Sequence, residues 1–494
     1  MRLRWHDYKY YPYERELASR EASSLISFSK FQDAHDGIEL QDPGVHTNAD
    51  RLTYFKGYQN GGGFVPTTQS ELESSARNGR NRQATRYSVH GLHEYKGKFN
   101  PQVARALLNI FHVTPGQFVL DPFCGSGTTL VECSHLGIDA VGTDINPLAV
   151  YLSNAKLCAL SAPIEALKEA QKAISDHLLS NRKHSGLKSS DERQEYLLGW
   201  FDQDIYVEIE NIRKVILDIA GDLSPIFLAI ASNLLRDYSQ QDPRDLRIRR
   251  RTSPLPSEPC TKAFLSAVSQ VLVRILATRE VIGTGATSGR ALLCDVSELM
   301  QVDGQERFDA AITSPPYAMA LPYIDTQRLS LVWLGLLPAD QILELEASLI
   351  GSRELRGSSK RELPKAMAIN EADLPTDEYD LCVTLANSLS ESDGFRRRAV
   401  PSLLYRYFAA MKTNFRSVNA LMKAGAPYAL IVGHNHTTIG GIRYDIDTPS
   451  HLANLAVSVG WSIDELIPLQ TYQRYGYHVS NAVAAETLIV LRKA

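Results

Sequence analysis

Residues 117–129 read Gln117-Phe118-Val119-Leu120-Asp121-Pro122-Phe123-Cys124-Gly125-Ser126-Gly127-Thr128-Thr129, an apolar run that breaks into a glycine turn. Phe118 to Leu120 suit a short buried strand, and Asp121-Pro122 ends it. Thr128 to Leu136 then carries a helical pattern that Gly137 stops as a C-cap. Ala140-Val141-Gly142 gives a second strand ending at Asp144, and Asn146-Pro147 supplies an N-cap followed by proline at the first helical position. The helix so opened runs through Leu148, Leu152 and Ala155. Strand, turn, helix, strand, acid and helix in that order open a doubly wound α/β sheet.

Further along, the alternation resumes with Ala291 to Cys294, ending at Asp295, and with Phe308 to Ile312, ending at Thr313-Ser314-Pro315-Pro316-Tyr317. A long amphipathic helix is predicted over Leu403 to Met422, then strand Ala429 to Val432, helix Ser450 to Val459, and strands Ser462 to Leu466 and Thr487 to Leu491. Two closing strands with no helix between them predict an antiparallel pair at one sheet edge. The core thus occupies 85–158, 286–339 and 401–494. It is interrupted by a helical insert over 159–285 and a charged, loop-rich insert over 340–400. Residues 1–84, with Gly61-Gly62-Gly63 and little apolar periodicity toward their end, read as an N-terminal arm.

The bulk numbers agree with a globular protein. The chain has 494 residues, 44% hydrophobic and 22% charged, which excludes wholesale disorder, a collagen-like fibre and a disulfide-stapled miniprotein. A net charge of -4 excludes a uniformly basic nucleic-acid binder and leaves room for a local basic groove. The six cysteines form no CxxC pair and suit reduced thiols. The N-terminal residues have no apolar signal core, and no uninterrupted apolar run reaches the ~18 residues of a membrane span, so a cytoplasmic protein is expected.

The chemistry sits at the strand ends. Two glycines after Asp121 let backbone approach a ligand at a helix N-terminus. Asp144, about 23 residues beyond Asp121, stands where a carboxylate can accept from both hydroxyls of a ribose. The third glycine of the dinucleotide fingerprint is missing, because Thr128-Thr129 follow; a nucleoside-bearing cofactor without a pyrophosphate fits better. Asp295 can accept from an adenine amine with Val296 against the ring, although a loop cap would look the same. In Ser314-Pro315-Pro316-Tyr317 the prolines remove donors and stiffen the loop, so the Ser314 hydroxyl and neighbouring carbonyls are held as acceptors. Tyr317 offers a planar face to a base. Acceptors that grip the N–H groups of an exocyclic amine localise its lone pair for attack on an electrophilic methyl group.

DPFCGSGTT together with TSPPY resembles the S-adenosylmethionine-dependent amino methyltransferases of DNA, and the serine of TSPPY is similar to the cytosine-N4 group. His93 to Gln102 resembles the family segment that closes over the methionine end of the cofactor, which implicates Lys98, Phe99 and Asn100. Leu321 to Gly335 resembles the helix after the catalytic loop. The resemblance implies a Rossmann-like methyltransferase sheet and S-adenosylmethionine as cofactor. Asp121, Phe123, Gly125, Gly127, Asp144, Asp295 and Val296 would border that cofactor. Ser314, Pro315, Pro316 and Tyr317 would act on a cytosine flipped from double-stranded DNA. A restriction or phage-defence setting, with a cognate endonuclease or defence subunit as partner, follows from the resemblance alone. Adenine-N6 methylation and guanine-N2 methylation of structured RNA are the rival activities.

Relatives carry a recognition domain beyond the core, so here the inserts or the arm must read the DNA. Arg244 to Arg251 holds five arginines in eight residues, which makes Arg247, Arg249, Arg250 and Arg251 the candidate DNA contacts and Arg396-Arg397-Arg398 a second cluster. His90, His93, His434 and His436 lack ligand spacing, and no metal is expected.

Overall fold

The computed structural model describes residues 1–494 except 45–47, 75, 77–82, 181–190, 284–288, 300–307, 320–322 and 471–484. Leu321 and Pro322 of the helix-like segment therefore lie outside the described residues, as does most of the polar stretch near residue 80.

The expected N-terminal arm is corrected first. Strands β1 (Arg2–Trp5), β2 (Lys30–Ala34), β3 (Gly37–Gln41), β4 (Phe55–Gln59) and β5 (Phe64–Pro66) form an antiparallel sheet of order β2-β3-β1-β4-β5. Ala34 pairs with Gly37 across His35-Asp36, and Leu3, Ile38 and Leu40 point into the core. The signal was present: Gly37 directly follows the two-residue turn His35-Asp36, flanked by strands too short to show a period. Helix Pro12–Leu25 buries Leu17, Ala18 and Ala22 in the same core as Leu107 of helix Pro101–Ile110, so this sheet is fastened to the central one.

The central sheet follows the expected α/β plan. Its strands β6 (Phe118–Asp121), β7 (Asp139–Asp144), β8 (Arg290–Leu293), β9 (Ala310–Thr313) and β10 (Pro427–Gly433) are mutually parallel. A hairpin, β11 (Asn435–Ile439) and β12 (Ile442–Ile446), was not foreseen. The closing strands β13 (Trp461–Gln470) and β14 (Ala485–Lys493) pair antiparallel at the edge. The order is β13-β14-β10-β9-β6-β7-β8, with β14 antiparallel to β10 as well. This is the Rossmann-like methyltransferase sheet, in which the path reverses between β6 and β9. The carboxyl ends flanking such a reversal are where open α/β sheets bind ligands.

The first insert is helical as expected. Its helix Cys260–Ile282 is long and apolar enough to cross a membrane by length and composition, and it buries Phe264, Val268, Leu272 and Ile275 in one core with helices Ile164–Leu179 and Gln203–Ile219. The second insert departs from expectation. Residues 340–400 are mostly helical, in Ile342–Ser348, Ser359–Ala368 and Thr376–Asn387, and the long helix begins at Phe395 rather than Leu403. Charge dominates because the outer faces are solvated: Ser359–Ala368 buries none of its residues, while Cys382 and Leu385 of Thr376–Asn387 reach the core.

Candidate active site

At the end of β6, Asp121 is buried. Its Oδ1 accepts from the Thr313 hydroxyl at 2.6 Å and from the Phe123 amide at 3.2 Å. Thr313 ends β9, so one hydrogen bond joins the glycine loop to the serine-proline loop across the reversal. Burial pushes the Asp121 carboxyl up to about 6, and its Oδ2 has no hydrogen-bond partner among the described residues. Asp144, at the end of β7, accepts from the Gly125 amide at 3.0 Å and the Asn146 amide at 2.9 Å. Burial raises its carboxyl to about 6 as well. Gly127 has φ +78, and a Cβ there would lie 2.8 Å from Ser153 Oγ, so glycine is required where the loop enters the helix. Phe123, Gly125, Gly127, Asp121 and Asp144 therefore converge as the sequence implies.

Other implicated residues have different surroundings. Lys98 Nζ donates to the carbonyls of Thr85 at 3.3 Å and His90 at 3.5 Å, and burial, then Lys156, holds it well below its ordinary pKa. Asn100 caps helix Pro101–Ile110 by accepting from the Gln102 amide at 2.9 Å, and Phe99 packs on the core under the N-terminal sheet. Asp295 accepts from Ser297 backbone and side chain at 2.8 and 2.6 Å, the loop-cap arrangement, with Val296 buried beside it. The same upstream segment contributes a residue the sequence reading passed over. The Tyr95 ring covers the glycine loop, 3.4 Å from where a Gly125 Cβ would stand. Beneath it Asn146 donates to Gln327 at 2.6 Å. Contacts between positions this far apart leave no periodic trace.

The serine-proline loop is held from several sides. Ser314 Oγ donates to the Ile431 carbonyl of β10 at 3.2 Å, and Tyr317 Oη donates to Glu486 of β14 at 2.8 Å. Pro315 is buried and Pro316 half-buried between them. Asn435 of the hairpin donates to the Ala318 carbonyl, and Arg353 Nε donates to the Met319 carbonyl at 2.6 Å. Gly351, at φ +79, backs onto the loop so closely that a Cβ would lie 2.3 Å from the Tyr317 carbonyl. Glu486, Gly351 and Arg353 are site residues that sequence reasoning missed.

The first arginine run divides. Arg249 pairs with Asp245 at 3.1 Å; Arg250 stacks over Trp200 at 5.1 Å and donates to the Gly199 carbonyl at 2.9 Å; Arg251 donates to the Asp237 carbonyl at 2.9 Å. Arg247 is exposed, and no carboxylate among the described residues pairs with it. Spacing along the chain does not reveal one spatial cluster. His90, Glu132 and His135 bring ligand-type atoms within 4.8 Å of one another, fully buried. Glu132 also accepts from Tyr87 at 2.7 Å and Arg105 at 3.3 Å. With the Arg105 guanidinium on its second oxygen, this carboxylate already has a cation, and the cluster fastens residues 87–90 to helix Thr128–His135.

Residues 28–155 match the family described as DNA methylase, N6_N4_Mtase. The chain is 28% identical over 290 residues to the type II methyltransferase M.MvaI of Kocuria varians, covering 54% of this chain and 63% of that protein. It is 23% identical over 409 residues to the type II methyltransferase M.AvaI of Nostoc sp., covering 76% and 80%. A shorter stretch of 52 residues is 42% identical to the tRNA (guanine(10)-N2)-dimethyltransferase of Methanothermobacter thermautotrophicus, covering 10% of this chain and 16% of that one. The resemblance to the N4/N6 amino methyltransferases of DNA is borne out, and the methyl donor it implies is S-adenosylmethionine. The loop fits that molecule: Asp121 Oδ2 is a buried acceptor without a partner among the described residues, suited to an ammonium group, and Gly125 and Gly127 leave the backbone bare beside it.

Proposed function

We propose that the chain is a site-specific DNA methyltransferase that moves a methyl group from S-adenosylmethionine to the N4 amine of a flipped cytosine. The carrying observation is the Thr313–Asp121 bond at the sheet reversal, which sets Ser314 beside the cofactor loop. When bound, the cofactor supplies an electrophilic methyl group on a sulfonium sulfur. Ser314 spends its hydrogen on Ile431, so its lone pairs are free to accept a target N–H and localise the amine lone pair. With Ser314 accepting one amine N–H, the amine lone pair would be aimed at that methyl group, and the proton given up by the alkylated nitrogen would leave past Ser314 Oγ to solvent. The hydrogen bond to Glu486 fixes the Tyr317 ring for stacking on the extruded base. Asp144 would hold the ribose hydroxyls, Asp295 and Val296 the adenine, and Lys98, Phe99 and Asn100 the closing segment. A cognate restriction endonuclease or defence subunit is the partner class that goes with this reading.

The match to a tRNA guanine-N2 enzyme keeps one rival in view. Incubation with isotopically labelled S-adenosylmethionine and either unmethylated bacterial genomic DNA or total tRNA, followed by nucleoside mass spectrometry, separates the readings. Labelled N4-methylcytosine is the expected product. N6-methyladenine would correct the base, and methylguanosine in tRNA would replace the substrate class.

A further inference from the structure

Helix Pro147–Ser161 grips the glycine loop through two side chains one turn apart on the same face. Ser153 Oγ donates to the Gly125 carbonyl at 2.8 Å, and Lys156 Nζ donates to the Ser126 carbonyl at 2.6 Å. Both residues are fully buried. Stability alone does not account for the lysine. Burial pulls its ammonium down to about 7, no carboxylate among the described residues pairs with it, and its hydrogen bond goes to a neutral carbonyl. A lone buried charge of this kind costs free energy that a methionine of similar length would not.

The peptide plane shows what the grip achieves. The described peptide bonds are trans, so a carbonyl and the amide that follows it point in opposite directions. With the Gly125 carbonyl drawn onto the helix, the Ser126 N–H faces away from it. The neighbouring loop amides are already spent: Gly125 donates to Asp144 at 3.0 Å and Gly127 to the Cys124 carbonyl at 2.8 Å. The Ser126 amide has no acceptor among the described residues, and the buried Ser126 hydroxyl has no partner among them either. Resting on the binding of S-adenosylmethionine at this loop, we propose that Ser153 and Lys156 are positioning residues for the cofactor: they pin the peptide planes on both sides of Ser126, so that its amide donates to the carboxylate of the methionine end. The same grip keeps two carbonyl oxygens, which would repel that carboxylate, turned onto the helix. Neither side chain touches the cofactor, and their effect passes through the loop to its amino-acid end rather than to the nucleoside.

The test is calorimetry of the full chain with S-adenosylmethionine and with 5′-methylthioadenosine, which keeps the nucleoside and lacks the amino-acid end, beside urea unfolding of the same samples. Ser153→Ala and Lys156→Met should each raise the Kd of S-adenosylmethionine about tenfold, the worth of one oriented hydrogen bond. Affinity for 5′-methylthioadenosine should stay at the wild-type level. The urea midpoint of Lys156→Met should equal or exceed that of the wild type, because a lone buried charge has gone. Should Lys156→Met not fold, Ser153→Ala, which removes a single oxygen, decides the matter. Unchanged S-adenosylmethionine affinity with a lowered urea midpoint would mark both residues as packing contacts and overturn the proposal, as would an equal loss for the two ligands. A wild-type chain that binds no S-adenosylmethionine would overturn the cofactor reading along with it.

Discussion

The two halves of the site are built by different means. The glycine-loop half is largely local: residues 118–161 supply strand, glycine loop, acid and helix in one stretch, and bonds such as that of Gly125 to Asp144 join near neighbours, with Thr313 to Asp121 and Asn146 to Gln327 the long-range ties. The substrate half is assembled at long range. Ser314 to Met319 is held by Ile431, Asn435, Glu486, Arg353 and Gly351, drawn from β10, the hairpin, β14 and the second insert. A cofactor of fixed shape suits a compact, self-contained loop. On the DNA reading proposed above, a substrate pulled from a duplex suits a loop whose position is set by several distant elements.

This contrast can be broken at either half. The largest effect is expected from Ser314→Ala, which should lower kcat by about 10²–10³-fold, the usual cost of one oriented polar group, with S-adenosylmethionine affinity unchanged by calorimetry. Gly351→Val comes next, because its side chain must displace the Tyr317 carbonyl; turnover should fall on the order of 10–100-fold, again with cofactor binding intact. If cofactor binding also collapsed, the two halves would not be separate. Asp144→Ala should do the reverse, weakening S-adenosylmethionine about 10-fold or more through one lost charge-assisted contact while the serine-proline loop keeps its place.

The smallest effect concerns stability. The Asp121 carboxyl is raised to about 6 in the fold against ~3.9 unfolded, so the native state binds more protons between these values and loses stability as pH rises from about 4 to about 6. Asp121→Asn should remove that decline and stabilise the cofactor-free chain at pH 7.5 by up to about 3 kcal/mol in urea titrations, while weakening cofactor binding. A decline that persists unchanged in the variant would assign it to other groups.

The same division explains what could be read beforehand. Asp121, Gly125, Gly127, Asp144 and Ser314 announce themselves because each ends a strand or opens a helix within a recognisable local pattern. The central sheet was legible for that reason, down to its antiparallel closing pair. Tyr95, Gln327, Gly351 and Glu486 were not, since their importance lies in what they touch across the fold, and periodicity carries no such information. The N-terminal sheet escaped notice because strands of three to five residues, with charged outer faces, imitate a polar arm. The partners of Arg249, Arg250 and Arg251, read as candidate DNA contacts, were out of sight for a related reason: composition counts arginines, but the carbonyls and carboxylate they meet are fixed only by folding.

The position of β14 has a consequence for how the molecule comes into being. It leaves the ribosome after β10 and β13, yet it lies between them, and it carries the carboxylate that holds the Tyr317 hydroxyl. The nascent chain can shape its glycine loop early, from neighbours already made, whereas the gripping loop waits for a late partner far along the chain. The serine-proline loop thereby lacks its Glu486 anchor until synthesis has passed that residue, whereas the Gly125–Asp144 contact needs only neighbours already made.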